Sequence, residues 1–264
     1  MNNYKRYTLQ DTLDSEKRNL FTVLSTFAGG GGSSTGYRLA GGKILAINEF
    51  VPEAQNTYRE NYPNTVIIPG DIKKLTGTYL MEQAKIGISE LDILDGSPPC
   101  PPFSMSGTKQ KGWGKEKTAY GMKQKNIEDL TWEQIRIANE MQPKVIVCEN
   151  VKGLTMSYAQ EHLQRMVNDF EKCGYTTVYK VLKGHQQGVP QKRERVFMVG
   201  VRDDVLEAIG RPWMTLGSIF PEPSDQFTSI GEAIDDLEND EENIEDAKYL
   251  EQAMIDSSKG HWVH

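Results

Sequence analysis

Residues 20–36 read Leu20-Phe-Thr-Val-Leu-Ser-Thr-Phe-Ala-Gly-Gly-Gly-Gly-Ser-Ser-Thr-Gly36, a short β-rich apolar run that enters four consecutive glycines. Glycine lets a backbone turn sharply and approach a ligand closely. A loop between a strand and a helix also points its N–H groups at a polar ligand. The spacing is not the dinucleotide pattern GxGxxG, because Ser34 or Thr35 stands where the third glycine belongs. The Gly-Lys-Ser/Thr signature of a triphosphate loop is missing as well.

Outward from this loop, Lys43–Asn48, Thr65–Ile68, Leu91–Asp95, Lys144–Cys148, Tyr175–Leu182 and Arg195–Val201 are further predicted strands. Helices are predicted over Val51–Asn61 and over Tyr158–Lys172, where Leu163, Met166, Val167 and Phe170 recur at helical spacing. Strands that alternate with helices form parallel βαβ units covered on both faces. The expected fold class is therefore α/β, a Rossmann-like, mostly parallel, doubly wound sheet. A polar lead-in over 1–19, a main domain over 20–220 and an acidic stretch over 221–264 are the expected divisions.

The chain has 264 residues, 38% hydrophobic and 25% charged, which is ordinary for a globular protein. Its 3 Cys lack paired spacing, which argues against a disulfide scaffold and a Cys-rich zinc site. No apolar run has the length of a membrane span, and the N-terminus has no apolar signal core. The expected compartment is a reducing cytoplasm, with no membrane partner. A net charge of −7 excludes a uniformly basic nucleic-acid binder but leaves room for a local basic surface. Such a surface is offered by residues 105–126, where Lys109, Lys111, Lys115, Lys117, Lys123 and Lys125 face only Glu116. This segment is either a solvated loop or a lid over a polyanion. Glu238, Asp240, Glu241, Glu242, Glu245 and Asp246 form an acidic run that reads as a solvated linker.

Chemistry is carried by five further features. Glu49 ends the second strand, where an acid can bind ribose hydroxyls. Asp71, in Gly70-Asp-Ile72, ends the third and could accept a bond from an adenine amino group. With the glycine loop, these point to a nucleoside-containing cofactor at the carboxyl edge of the sheet. Gly96-Ser-Pro-Pro-Cys-Pro-Pro-Phe-Ser104 follows a strand, and its prolines fix the direction of the Cys100 thiol. A nucleophilic Cys needs a lowered pKa. Glu149 follows the apolar strand Lys144–Cys148, where desolvation would raise its pKa and make it a general acid. Arg193 and Arg195 precede Val196–Val201, and alternate residues of a strand share a face. Such a pair can fork onto phosphate or a base carbonyl.

These residues, in this order, resemble the DNA (cytosine-5) methyltransferases. Phe27-Ala-Gly-x-Gly-Gly32 looks like the motif that cradles S-adenosylmethionine, Asn48-Glu-Phe50 like the ribose motif and Gly70-Asp-Ile72 like the adenine contact. Pro98-Pro-Cys100 with Pro-Phe-Ser104 looks like the catalytic loop, Glu149-Asn-Val151 like the acid motif, and Gln191-x-Arg193-x-Arg195 like the motif that holds the base and backbone. The resemblance implies a class I S-adenosylmethionine-dependent fold and a cofactor site of Phe27, Gly29, Gly30, Gly31, Gly32, Glu49, Phe50, Asp71, Ile72 and Pro99. It implies Cys100, Glu149, Arg193 and Arg195 as catalytic residues, and Ser104, Lys109, Lys111 and Gln191 as DNA contacts. Double-stranded DNA would be the substrate, S-adenosylhomocysteine the product, and no metal is implied.

Three departures stand out. Pro101 occupies the place of the usual Gln, and Ser97 that of a common Gly. The C-terminal Gly-Asn-Ala/Ser-Val element and a target recognition domain are not found, although Ser229–Ile234 resembles the approach to one. The resemblance therefore implies a truncated product, one subunit of a split enzyme whose partner carries the recognition domain, or, as a third option, a compact complete enzyme. Two competing readings are a tRNA cytosine-5 methyltransferase, whose Cys-Phe-Thr element is not seen, and a non-catalytic cofactor-binding subunit.

Overall fold

The computed structural model describes residues 6–99, 117–119, 122–124, 130–210 and 217–234. Cys100, Ser104, Lys109, Lys111 and the acidic run from Glu238 to Asp246 lie outside these residues. The described chain falls into two units. Among the described residues, a larger one lies within Tyr7–Lys183 and Glu194–Glu222, and a smaller one takes in Arg6, Gly184–Arg193 and residues 223–234.

The larger unit is built on a seven-stranded sheet of order β3-β2-β1-β4-β7-β9-β8. Its strands are β1 (Phe21–Thr26), β2 (Gly42–Glu49), β3 (Val66–Pro69), β4 (Ile93–Gly96), β7 (Val145–Val151), β8 (Tyr175–Lys183) and β9 (Glu194–Arg202). Every pairing from β3 to β7 is parallel, and β9 alone runs against its neighbours. A separate antiparallel pair, β5 (Lys117–Ala119) and β6 (Met122–Gln124), lies in the lysine-rich segment.

Successive residues of a strand face opposite sides of a sheet, and both sides here are covered. Leu24, Ala46, Ile68, Leu94, Ile146 and Cys148 turn toward α4 (Gly77–Ala84), α5 (Leu130–Met141) and α6 (Gln160–Lys172). Their partners there include Leu80, Ile135, Met141, Leu163, Met166 and Phe170. Val23, Ile44 and Ile47 turn the other way, toward Tyr58 and Tyr62 of the α3 region (α3, Pro52–Asn61) and toward Tyr37 of α2 (Gly32–Leu39). This is the doubly wound architecture expected from the alternating pattern. Within the smaller unit, His185 packs on Phe227 at 5.2 Å between ring centroids. The same unit holds α8 (Ile230–Ile234), while α7 (Asp203–Ala208) follows β9 in the larger one.

The structure departs from the sequence reading in three places. First, the polar lead-in contains a helix, α1 (Leu9–Glu16), and residues from Tyr7 onward belong to the larger unit. Thr8 and Asp11 form a reciprocal capping box, with Thr8 N–H donating to Asp11 Oδ2 at 2.7 Å. At its other end Glu16 accepts from Arg38 Nε at 3.1 Å and from the Ile44 N–H at 3.0 Å. Second, β7 extends to Val151, because β9 continues to pair with it as far as Val151↔Arg195. Glu149 thus lies inside a strand. Third, β9 starts at Glu194, so Arg193 is not on the strand with Arg195 but in the smaller unit.

Candidate active site

The strand order reverses between β1 and β4, and sheets of this kind take ligands in the crevice at the carboxyl ends of such a strand pair. Both loops of chemical interest emerge there. Phe27–Gly31 follows β1, and Ser97–Pro99 follows β4 and leads into Cys100.

The glycine loop is a chain of left-handed residues: φ is +54° at Phe27, +55° at Gly29 and +101° at Gly31. A non-glycine residue held there costs of order 1–3 kcal/mol and persists only where the surroundings enforce it. At Gly31 a Cβ would meet the Tyr58 ring at 3.0 Å, whereas nothing lies within 4 Å of one built at Gly29 or Gly32. The loop thus packs tightly on one side and opens into free space on the other.

Glu49 shapes this loop. Its Oε2 accepts from the Gly29 N–H at 2.7 Å, and its Oε1 accepts from the N–H groups of Phe50 and Val51 at 2.7 and 2.8 Å. Phe50, next to it, is 37% exposed. Asn48 reaches sideways and donates to the carbonyls of Ile68 and Gly70 at 3.0 Å, tying the end of β2 to the turn after β3. Asp71 caps the short 3-10 helix Ile72–Lys74 by accepting from the Lys73 N–H at 3.0 Å. The Ile72 side chain is buried in the core, and its carbonyl accepts from Arg136 Nη2 at 3.0 Å and from the Leu75 N–H at 3.2 Å. An open glycine face, an exposed aromatic residue and carboxylates after β2 and β3 together fit a nucleoside-bearing cofactor.

The turn after β4 is fixed just as firmly. Gly96 is so closely packed that a Cβ would lie 2.6 Å from Gln134 Nε2 and from Thr26 Oγ1. Ser97 Oγ donates to the Phe27 carbonyl at 3.1 Å, and Asn150 Nδ2 donates to the Pro98 carbonyl at 3.3 Å. One residue before Asn150, Glu149 Oε1 meets Arg195 Nε at 3.2 Å, with the two side chains 29% and 26% exposed. The acid is therefore part-solvated and ion-paired, less desolvated than its place after an apolar run suggested. Beside it, Lys152 Nζ pairs with Glu194 Oε2 at 2.6 Å. Gln191 and Arg193 belong to the smaller unit, where the Gly184 N–H donates to the Arg193 carbonyl at 2.8 Å.

Sequence reasoning missed Asp95. This carboxyl, 6% exposed, sits on β4 opposite Ser25 of β1. Its Oδ2 accepts from Ser25 Oγ at 2.7 Å and Ser33 Oγ at 2.8 Å, and its Oδ1 accepts from Tyr37 OH at 3.2 Å. Burial pushes its pKa up, against the lowering pull of the three hydroxyls, and the Glu149 charge adds to the rise. The Tyr37 phenol is pushed up as well, by burial and by that carboxyl. The available signal was an acid at the end of a strand buried on both faces, with Ser33 and Tyr37 one helical turn apart on α2.

Comparison with known proteins gives the family. The sequence profile of C-5 cytosine-specific DNA methylases matches residues 21–263. The chain belongs to that family. Among curated relatives, it is 34% identical over 218 residues to the Type II methyltransferase M.NgoMIV of Neisseria gonorrhoeae, covering 82% of this chain and 61% of that one. It is also 34% identical over 210 residues to M.AquIA of Picosynechococcus, covering 76% of each. The chain spans only 43% of M.Eco47II of Escherichia coli, at 36% identity. In fold it is similar to a prophage-encoded E. coli protein described as a DNA modification methyltransferase. The TM-score there is 0.63 at 22% identity, over 81% of this chain and 54% of that one. Among the described residues of this methylase-family chain, no helix is long and apolar enough to cross a membrane, and no cluster of three or more His, Cys, Asp or Glu could hold a metal.

Proposed function

We propose that this chain is the catalytic part of a DNA (cytosine-5) methyltransferase, acting on a cytosine extruded from double-stranded DNA with S-adenosylmethionine as donor. The observation that carries the reading is the Glu149–Arg195 pair, 3.2 Å apart, bridging β9 and β7, the strand that pairs with β4 ahead of the turn leading toward Cys100. An acid, a guanidinium and a thiol are the groups that activation of a pyrimidine ring requires.

S-adenosylmethionine, when bound, supplies an electrophilic methyl group. Phe27, Gly29–Gly32, Glu49, Phe50, Asp71, Ile72 and Pro99 would hold it at the ends of β1 to β4. Flipping the base costs a few kcal/mol of unstacking. The Cys100 thiolate then forms a bond to ring carbon 6. The C5=C6 electron pair moves to C4–C5, and the C4=N3 pair takes a proton at N3 from Glu149, which must first leave Arg195 and take up that proton from solvent. Arg195, freed from Glu149, holds the base carbonyl. Carbon 5 is now nucleophilic and would take the methyl group, the methyl–sulfur bond breaking with its electron pair left on the sulfur of S-adenosylhomocysteine while the N3 lone pair restores C4=N3. Loss of its proton to a base restores C5=C6 and expels the Cys100 thiolate, and the N3 proton returns to Glu149. This is covalent catalysis that divides one difficult substitution into easier steps. Arg193, Gln191, Ser104, Lys109 and Lys111 would contact the DNA backbone around the flipped base, and a second polypeptide bearing a recognition region would supply sequence choice.

The test is methyl incorporation from labelled S-adenosylmethionine into duplex DNA and into tRNA, with and without a polypeptide that supplies the rest of a full-length relative. Wild type should label DNA, and Cys100→Ser should lose at least about 10³-fold. A 5-fluorocytosine duplex should trap the chain covalently at Cys100. Labelling of tRNA instead of DNA would make it an RNA enzyme. Sequence-specific labelling by the chain alone would dispense with the second polypeptide. Full activity of Cys100→Ser would falsify the mechanism.

A further inference from the structure

Two side chains at the end of β4 reach the loop after β1 at both of its ends. Ser97 Oγ donates to the carbonyl of Phe27, the left-handed residue at which the loop begins. Asp95 accepts from Ser33 Oγ, in the first turn of α2 where the loop finishes, and from Tyr37 OH one turn further on. Between these two anchors lie Ala28 to Gly32, with open space beside Gly29 and Gly32. The same strand end leads straight on through Pro98 and Pro99 to Cys100.

A carboxyl is a costly way to join a helix to a sheet when apolar side chains would do so. Its use here makes sense if geometry is the need: an acceptor with two oxygens fixes three hydroxyl donors from β1 and α2 at once. The negative charge also lies beside the first turn of α2, whose N-terminus favours it.

We propose that Asp95 and Ser97 are positioning residues that form a two-point clasp on the cofactor loop. By this clasp one strand end sets where the methyl donor lies. The inference rests on the reading of this loop as the S-adenosylmethionine site.

The experiment is calorimetric titration of the full chain with S-adenosylhomocysteine, alongside thermal unfolding of each variant. Ser97→Gly and Ser33→Ala should each weaken binding by roughly three-fold or more, with Tm within about 2 °C of wild type. Asp95→Ala should weaken it by about ten-fold. Adding Ser33→Ala to Asp95→Ala should cost nothing further, because both act through one bond. Binding by Ser97→Gly and Ser33→Ala within two-fold of wild type overturns the clasp while leaving the cofactor site standing. Full additivity of the Asp95 and Ser33 effects overturns it too. If wild type itself fails to bind, the cofactor reading and the clasp fall together. Should Asp95→Ala not fold, the two serine variants decide the matter alone.

Discussion

Asp95 shows how much of a site can hang on one group that motif reading passes over. Its pKa lies above the ordinary 3.8, chiefly because it is buried. The folded chain therefore holds that proton more tightly than the unfolded chain does. Stability should fall as pH rises from 3.8 through the raised value, above which the folded state carries a buried carboxylate. Asp95→Asn removes this titration. In urea unfolding from about pH 4 to about pH 8, the variant should gain on wild type as pH rises and then level off. A stability difference that ignores pH would show that Asp95 stays ionised throughout. Glu49 makes a related point. Its place after β2 was legible in the sequence, but its bonds to the N–H groups of Gly29, Phe50 and Val51 were not, since they depend on how two loops meet.

Among the elements, the strands were the most legible, because a sheet covered on both faces writes itself as short apolar runs separated by turns. β1, β2, β8 and β9 lie within a residue or two of their predicted spans. The helices α4 and α5 went unread. α4 opens on Gly77-Thr-Tyr, weak helix formers, and α5 buries Gln134 and Thr131 among its apolar residues, which blurs the period. The extension of β7 was hidden too, because it depends on pairing with a strand some fifty residues on. α1 was the largest surprise, being polar along most of its length. It is held by Glu16, whose carboxylate meets the guanidinium of Arg38, a side chain 1% exposed that also lies 3.7 Å over the Tyr62 ring. Removing that carboxylate leaves the buried cation with neutral partners alone, Tyr58 OH at 3.2 Å and Thr65 Oγ1 at 2.7 Å. Glu16→Ala should cost about 3 kcal/mol in chemical denaturation, while an exposed acid on the same helix, such as Asp14, should cost about 0.5 kcal/mol or less. Equal effects at the two positions would mean that α1 does not depend on the Arg38 contact.

For the molecule as a whole, charge and division into units matter most. With a net charge of −7, the chain alone has little general attraction for a polyanion. Filter binding to short duplexes should give dissociation constants of about 1 μM or weaker, with little preference among sequences and a steep loss with salt. Nanomolar, sequence-selective retention would contradict this and place base readout within the chain. Which residues group with the smaller unit was not legible, because the segment between β8 and β9 joins chain that follows Glu222. The motif ending in Arg195 is thereby cut in two: Gln191 and Arg193 travel with one unit, Arg195 with the other. Anyone shuffling parts between relatives thus inherits a constraint. A chimera spliced once, downstream of the sheet, would marry the arginines of one parent to the remainder of another, so a clean graft needs matched junctions on either side of residues 184–193 as well.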